Sequence, residues 1–169
     1  MCNRRNPITN LHMNSEIRTR DASTNDAEAL LTLYDFLSSD NERCSLELAK
    51  ANISKICRID GSAVLLGEIN GEALTTCTLI VVPNLSRGGR PYAIIENVVT
   101  HPDHRGKGLG KAVLDMACER AWRHDCYKVM LSTGSTRPAT LSFYESAGFE
   151  QSRTGFQKRR LPKRQEEAG

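Results

Sequence analysis

The spacing of apolar residues switches repeatedly between a helical and an alternating period, and these switches divide the chain into elements. Glu16 to Arg20 can start a strand. Asp26 or a near neighbour can cap a helix on which Ala29, Leu30, Leu33, Phe36 and Leu37 share one face. A second helix follows from Ser45, with Leu46, Leu48, Ala49, Ile53 and Ile56 as its apolar positions. Ala63 to Ile69 and Ala73 to Val82 then read as strands joined at Asn70-Gly71, a dipeptide suited to a two-residue hairpin turn. Pro83 to Pro91 has loop chemistry, Tyr92 to Thr100 is rich in β-formers, and Pro102 closes that strand. Leu109, Ala112, Val113, Met116, Ala117 and Ala121 return to helical spacing, and Tyr127 to Leu131 supplies a short strand. A helix from Pro138 to Ala147 stops at Gly148, and Phe149 to Arg160 is expected to form one or two final strands.

This order, helices first and then a hairpin followed by alternating strand and helix, predicts one α/β domain of the α+β mixed-sheet kind over residues 15–160. Residues 1–14 read as a flexible N-terminal arm and 161–169 as a charged tail. A length of 169 residues suits a single core. Lysine and arginine total 23 against 20 acidic residues, a net charge of +3, which does not suggest a dedicated nucleic-acid binder. The basic run Lys158-Arg159-Arg160 lacks interleaved aromatics and reads as solvated. The six cysteines form no C-x-x-C pair, and no apolar run approaches the roughly 20 residues that span a bilayer. A cytoplasmic protein with reduced thiols, no membrane partner and no nucleic-acid partner is the expectation.

The segment Asn97 to Lys111 carries the candidate chemistry. It joins a strand to a helix through Arg105-Gly106-Lys107-Gly108-Leu109-Gly110. Glycine lets backbone approach a ligand closely, and the first N–H groups of a helix lack internal acceptors and sit at its positive end. Such a turn can cradle a pyrophosphate, with Arg105 and Lys111 adding charge at the rim. The spacing matches neither G-x-x-x-x-G-K-[ST] nor G-x-G-x-x-G, which removes the nucleoside triphosphate and dinucleotide readings. A turn with a purely structural role is the competing interpretation. Glu96 is a carboxylate within an apolar strand, so it must face a cavity, a partner or water. Strand alternation places Glu96 with Val98 on one face, and Ile95, Asn97 and Val99 on the other. His101 and His104 have no further clustered ligand, and no metal is expected. Arg87 and Arg90 can either recognise an anion or sit solvated in their loop.

With these residues in place, the chain resembles the GNAT acetyltransferase superfamily, whose Q/R-x-x-G-x-G/A motif is met by Arg105 to Gly110. Glu96 to Pro102 looks like the family's fourth strand, and Leu141 to Phe149 like its late helix ending in F-Y-x-x-x-G-F. The resemblance implies a GNAT-like acyl-CoA N-acyltransferase fold, a central, mostly antiparallel sheet flanked by helices, and acetyl-CoA as co-substrate. Val98 and Val99 would offer backbone groups to the pantetheine arm. Arg105, Gly106, Lys107, Gly108, Leu109, Gly110 and Lys111 would hold the pyrophosphate. Tyr144 would protonate the leaving thiolate, and Glu96 or an ordered water would take the amine proton. Relatives often carry asparagine where this chain has Thr140. The acceptor is expected to be a small-molecule primary amine, with protein amines and a non-catalytic acyl-CoA sensor as alternatives, and a homodimer is compatible with the reading.

Overall fold

Five strands in the order β1-β2-β3-β4-β5 form one sheet in the computed structural model, which describes residues 16–37 and 42–160. The expected arm at 1–14 and tail at 161–169 lie outside the described residues. The strands are β1 Arg18–Asp21, β2 Ala63–Ile69, β3 Glu72–Val82, β4 Tyr92–Thr100 and β5 Val129–Leu131. Neighbours from β1 to β4 are antiparallel, and β4 with β5 is parallel, so the mixed sheet matches the expected class. Helices α1 Ala27–Tyr34 and α2 Leu46–Cys57 cover one face, and α3 Leu109–Arg123 covers the other. The last helix is α4, Pro138–Ser146.

Burial on both faces explains the near-continuous apolar run of β2. Leu65 points into the layer with Val113, Leu114 and Ala117 of α3, whereas Val64 and Leu66 point into the layer with Leu30, Leu33 and Ile53. The hairpin turns at Asn70 and Gly71, both with positive φ, as their turn type requires.

Several element ends differ from the sequence expectation. The side chain of Ser23 caps the first helical turns, and Asp26 closes the reciprocal half of the capping box by accepting from the Ser23 N–H at 2.7 Å. Helix α1 stops at Tyr34, because Phe36 and Leu37 donate back three residues, to Leu33 and Tyr34, in a tightened turn. Phe149 to Arg160 forms no strand, and residues 151–160 are exposed. The three-residue edge strand β5 offers too short a ladder to extend, and four cationic side chains in this stretch, Arg153, Lys158, Arg159 and Arg160, favour water.

Ion pairs tie the first strand to both layers. Arg20 donates to Asp26 at 2.6 and 2.9 Å and to the buried Glu68 at 2.7 Å. Arg120 of α3 reaches across to Asp21 and to the Gly61 carbonyl. The Arg20 guanidinium, against the cost of burial, holds the Asp26 carboxyl at about 2, below its ordinary 3.8. A depressed carboxyl stabilises the fold above its unfolded titration range and loses that contribution as pH falls through the folded value. Asp26→Asn should therefore lower unfolding free energy by about 1–2 kcal/mol at pH 7, after allowance for partial exposure. In denaturant titrations the gap between variant and wild type should close between about pH 4 and pH 2. A gap unchanged over that range would assign the loss to packing.

Candidate active site

The site is built on an irregularity in β4. Thr78 of β3 pairs with Glu96 and Thr76 pairs with Val99, so Asn97 and Val98 together oppose Cys77. Asn97 takes φ of 54°, a left-handed conformation that asparagine tolerates better than most residues. This bulge corrects the expected alternation. Ile95 and Val98 both pack into the α3 layer, while Val99 is buried in the α1/α2 layer. One extra residue resets the face of everything after it.

The bulge coincides with the end of the β4 and β5 ladder. Parallel pairing runs from Ala93 with Val129 to Ile95 with Leu131 and stops there. From Glu96 onward the outer edge of β4 has no strand partner among the described residues. A slot is left in which an extended ligand can hydrogen-bond to Val98 and Val99 as a strand would. The Val99 carbonyl already accepts from the Thr75 hydroxyl at 2.9 Å, which anchors β4 beyond the bulge.

The slot leads to the glycine turn. Arg105 is held back along the strand by its Nε donating to the Thr100 carbonyl at 3.2 Å. Gly106 and Gly108 have φ of 73° and 84°, and a Cβ on Gly106 would meet nothing within 4 Å. Gly108 is the N-cap of α3, whose first turn contains no acidic side chain. The first N–H groups of a 15-residue helix thus face outward beside two backbone positions with no side chain.

The named motif residues divide by role. Lys107 is exposed, and Lys111 is paired with Asp115 at 2.6 Å. Leu109 is buried, so only its backbone can face a ligand. Gly110 is buried as well, and a Cβ there would lie 3.0 Å from Phe143 and 3.3 Å from Thr100. Its side-chain hydrogen is what lets α4 come close to α3.

Helix α4 supplies Tyr144, packed between Phe143, at 5.0 Å between ring centres, and Phe149, at 6.4 Å. Burial pushes its phenol up, with the nearby Cys77 thiol and Glu96 carboxyl adding to the effect. The structure therefore brings Tyr144 and Glu96, distant in sequence, within electrostatic reach of each other. Glu96 is exposed at the bulge, with no hydrogen bond or ion pair among the described residues. Thr140 lies in the first turn of α4 and accepts from the Ser135 hydroxyl at 3.3 Å. His101 accepts from the Asp103 N–H, and its ring meets Phe36 and His104 edge-on, which organises the loop.

On the α1 side of Asn97 lies a cleft of about 190 Å³, lined by Leu31, Tyr34, Leu37, Glu42, Arg43 and Asn97 among others. In the sequence, Asn97 has no role beyond its place in the strand alternation. Its only signal was an asparagine following a glutamate inside an apolar strand. Tyr34 interacts with Thr76 and Thr78 of β3, and burial pushes its phenol up.

This geometry, a strand that parts from its parallel neighbour beside a glycine turn at a helix N-terminus, defines an acyl-CoA transferase fold. The model of the acetyltransferase (GNAT) family matches residues 30–149, and the chain belongs to that family. It is 33% identical over 136 residues to the glucosamine 6-phosphate N-acetyltransferase of Trypanosoma brucei brucei, covering 79% of this chain and 89% of that one. It is 36% identical over 91 residues to an L-amino acid N-acyltransferase of Escherichia coli, 53% of this chain and 51% of that one. A solved putative acetyltransferase from Agrobacterium tumefaciens superposes with a TM-score of 0.79 at 43% identity, over 85% of this chain and 99% of that one. The protein is an acetyltransferase.

Two alanine substitutions separate the glycine roles. Gly108→Ala strains a left-handed residue beside the exposed N–H groups by about 1–2 kcal/mol and should weaken coenzyme A binding in calorimetry. Gly110→Ala pushes on Phe143 and should act first on thermal stability. Equal effects of both variants on both measurements would remove the division.

Proposed function

We propose that the protein transfers the acetyl group of acetyl-CoA directly to the primary amine of a small-molecule acceptor within a ternary complex. The observation that carries this reading is the slot beyond Ile95 and Leu131, which opens between the glycine turn and Tyr144 on one side and the cleft at Asn97 on the other. A thioester lying along β4 from the turn would meet an amine entering from the cleft. The two named relatives act on an amino sugar phosphate and on L-amino acids, which are small primary amines.

The glycine turn fits the proposed co-substrate, since Gly106 has open space where a Cβ would lie, no acid occupies the first turn of α3, and Arg105, Lys107 and Lys111 flank it in sequence. The N–H groups from Gly108 to Lys111 and these cations would hold the pyrophosphate. The backbone of Val98 and Val99 would hold the pantetheine arm, and an N–H of this bulged stretch would stabilise the oxyanion as the amine adds to the carbonyl carbon. As the carbon–nitrogen bond forms, the ammonium proton would pass to Glu96, directly or through water. As the carbon–sulfur bond breaks, Tyr144 would deliver its proton to the thiolate. A phenol raised by burial stays protonated at neutral pH, which suits an acid.

No helix among the described residues is long and apolar enough to cross a membrane. The five described cysteines are free thiols, which supports a reducing, cytoplasmic setting, and burial pushes Cys77 up to about 12 and makes it inert.

The test is thiol release from acetyl-CoA with a panel of small amines. Tyr144→Phe should slow turnover by about 10²-fold with little change in coenzyme A affinity. The wild-type rate should show no alkaline fall below pH 10, because the raised phenol ionises only above its ordinary range near 10. An unaltered rate in Tyr144→Phe would remove the assigned acid. Tight acetyl-CoA binding without release for any amine would point to a sensor.

A further inference from the structure

The cleft at Asn97 has a charge pattern that bears on which amine it accepts. Its lining contains one described cation, Arg43, and one described carboxylate, Glu42. Arg43 is already committed: one guanidinium nitrogen bonds Asp35 at 2.5 Å and the other bonds Glu28 at 2.7 Å, both carboxylates belonging to the α1 side of the cleft. Glu28 lies in the first turn of α1 and Asp35 at its C-cap, and their side chains converge on the one guanidinium. Glu96, the residue before Asn97 in β4, is exposed.

Resting on the proposed transfer to a small amine, we infer that Glu42 and the Glu28–Arg43–Asp35 triad make the acceptor cleft selective for amines that carry no anionic group, and favour those with a second positive charge. An anion entering beside Arg43 meets a guanidinium whose charge is more than balanced by Glu28 and Asp35, with Glu42 adjacent. To bind, it must use the guanidinium N–H groups that Asp35 and Glu28 leave over and sit near three carboxylates. A second ammonium meets Glu42, while Arg43, the one described cation of the lining, is paired with Glu28 and Asp35. Arg43 is 40% exposed and its partners more so, so the discrimination is moderate and screened by salt. This separates the chain from the trypanosomal relative, whose named acceptor carries a phosphate.

The experiment compares kcat/KM for 1,4-diaminobutane, butylamine and 4-aminobutyrate, and for glucosamine against glucosamine 6-phosphate, at low and high ionic strength. The expected order is diamine, monoamine, amino acid, with the unphosphorylated sugar preferred. Each step should be about fivefold at low salt, shrinking as salt rises. Glu42→Gln should erase the advantage of the diamine over butylamine. The double variant Glu28→Gln/Asp35→Asn releases Arg43 and should lower KM for 4-aminobutyrate and glucosamine 6-phosphate. Equal or greater wild-type efficiency with the anionic acceptors overturns the inference while leaving acetyl transfer intact. Binding of acetyl-CoA with no thiol release for any of the five amines overturns both. Because the wild-type series decides the question alone, a double variant that fails to fold does not shelter the proposal.

Discussion

At Asn97, β4 places two residues opposite one of β3, and the rest of the site follows from that mismatch. A regular strand would continue its ladder with β5, satisfy its outer edge and close the space. The left-handed turn at Asn97 bends β4 away after Ile95, leaves backbone groups without a strand partner and turns Val98 toward the α3 layer. Unpaired backbone in a partly buried strand is unfavourable unless water or a ligand completes it. The local irregularity therefore has a chemical use, and the sheet supports it from behind. Thr75, fully buried in β3, holds the Val99 carbonyl and the Thr100 hydroxyl and fixes where the strand goes after the bulge.

Helix α3 connects the two halves of the site. Its N-terminus presents outward N–H groups, and one residue further in, Gly110 gives way to the Phe143 ring. Phe143 and Tyr144 are consecutive in α4, so the same close approach that seats Phe143 sets the height of the phenol above the slot. Moving the helix N-terminus would move Tyr144 with it. The glycines at 106, 108 and 110 thus answer to different demands. The first two provide positive φ, with open space at Gly106, and the third provides room for a ring.

Much of this was legible in the sequence, for physical reasons that differ by element. The hairpin was legible because Asn70-Gly71 encodes its own turn, and α3 because its apolar residues keep one helical face over 15 residues. The family resemblance rested on residues 96–102, 105–110 and 141–149, short stretches read locally along the chain. The register slip at Asn97 was not legible, since it depends on which β3 residue lies opposite, a long-range fact. Face alternation read through it was accordingly wrong, relative to Ile95, for both Val98 and Val99. The end of α1 was misread because Leu37 keeps its apolar contact with the α1/α2 layer from a tightened turn instead of a helix. Strands expected after Phe149 failed for a related reason: alternation supplies side-chain order, but a strand also needs an edge, and β5 offers three residues.

The charges along β4 have an order of their own. Beyond the bulge toward α3, Arg105, Lys107 and Lys111 surround a helix N-terminus with no acid in its first turn. On the other side, Glu28, Asp35, Glu42 and Glu96 outnumber Arg43. With a net charge of only +3, the chain has no strong overall field, so this separation acts over the length of the cleft. On the proposed function, a pyrophosphate would be drawn to one end and an ammonium to the other. Attack on a thioester needs the neutral amine, and a carboxylate beside the entering ammonium both attracts it and accepts its proton. The same acidic side of the cleft can therefore serve recognition first and deprotonation second. On the proposed function, Glu96 would serve both, at the last residue before the strand turns away.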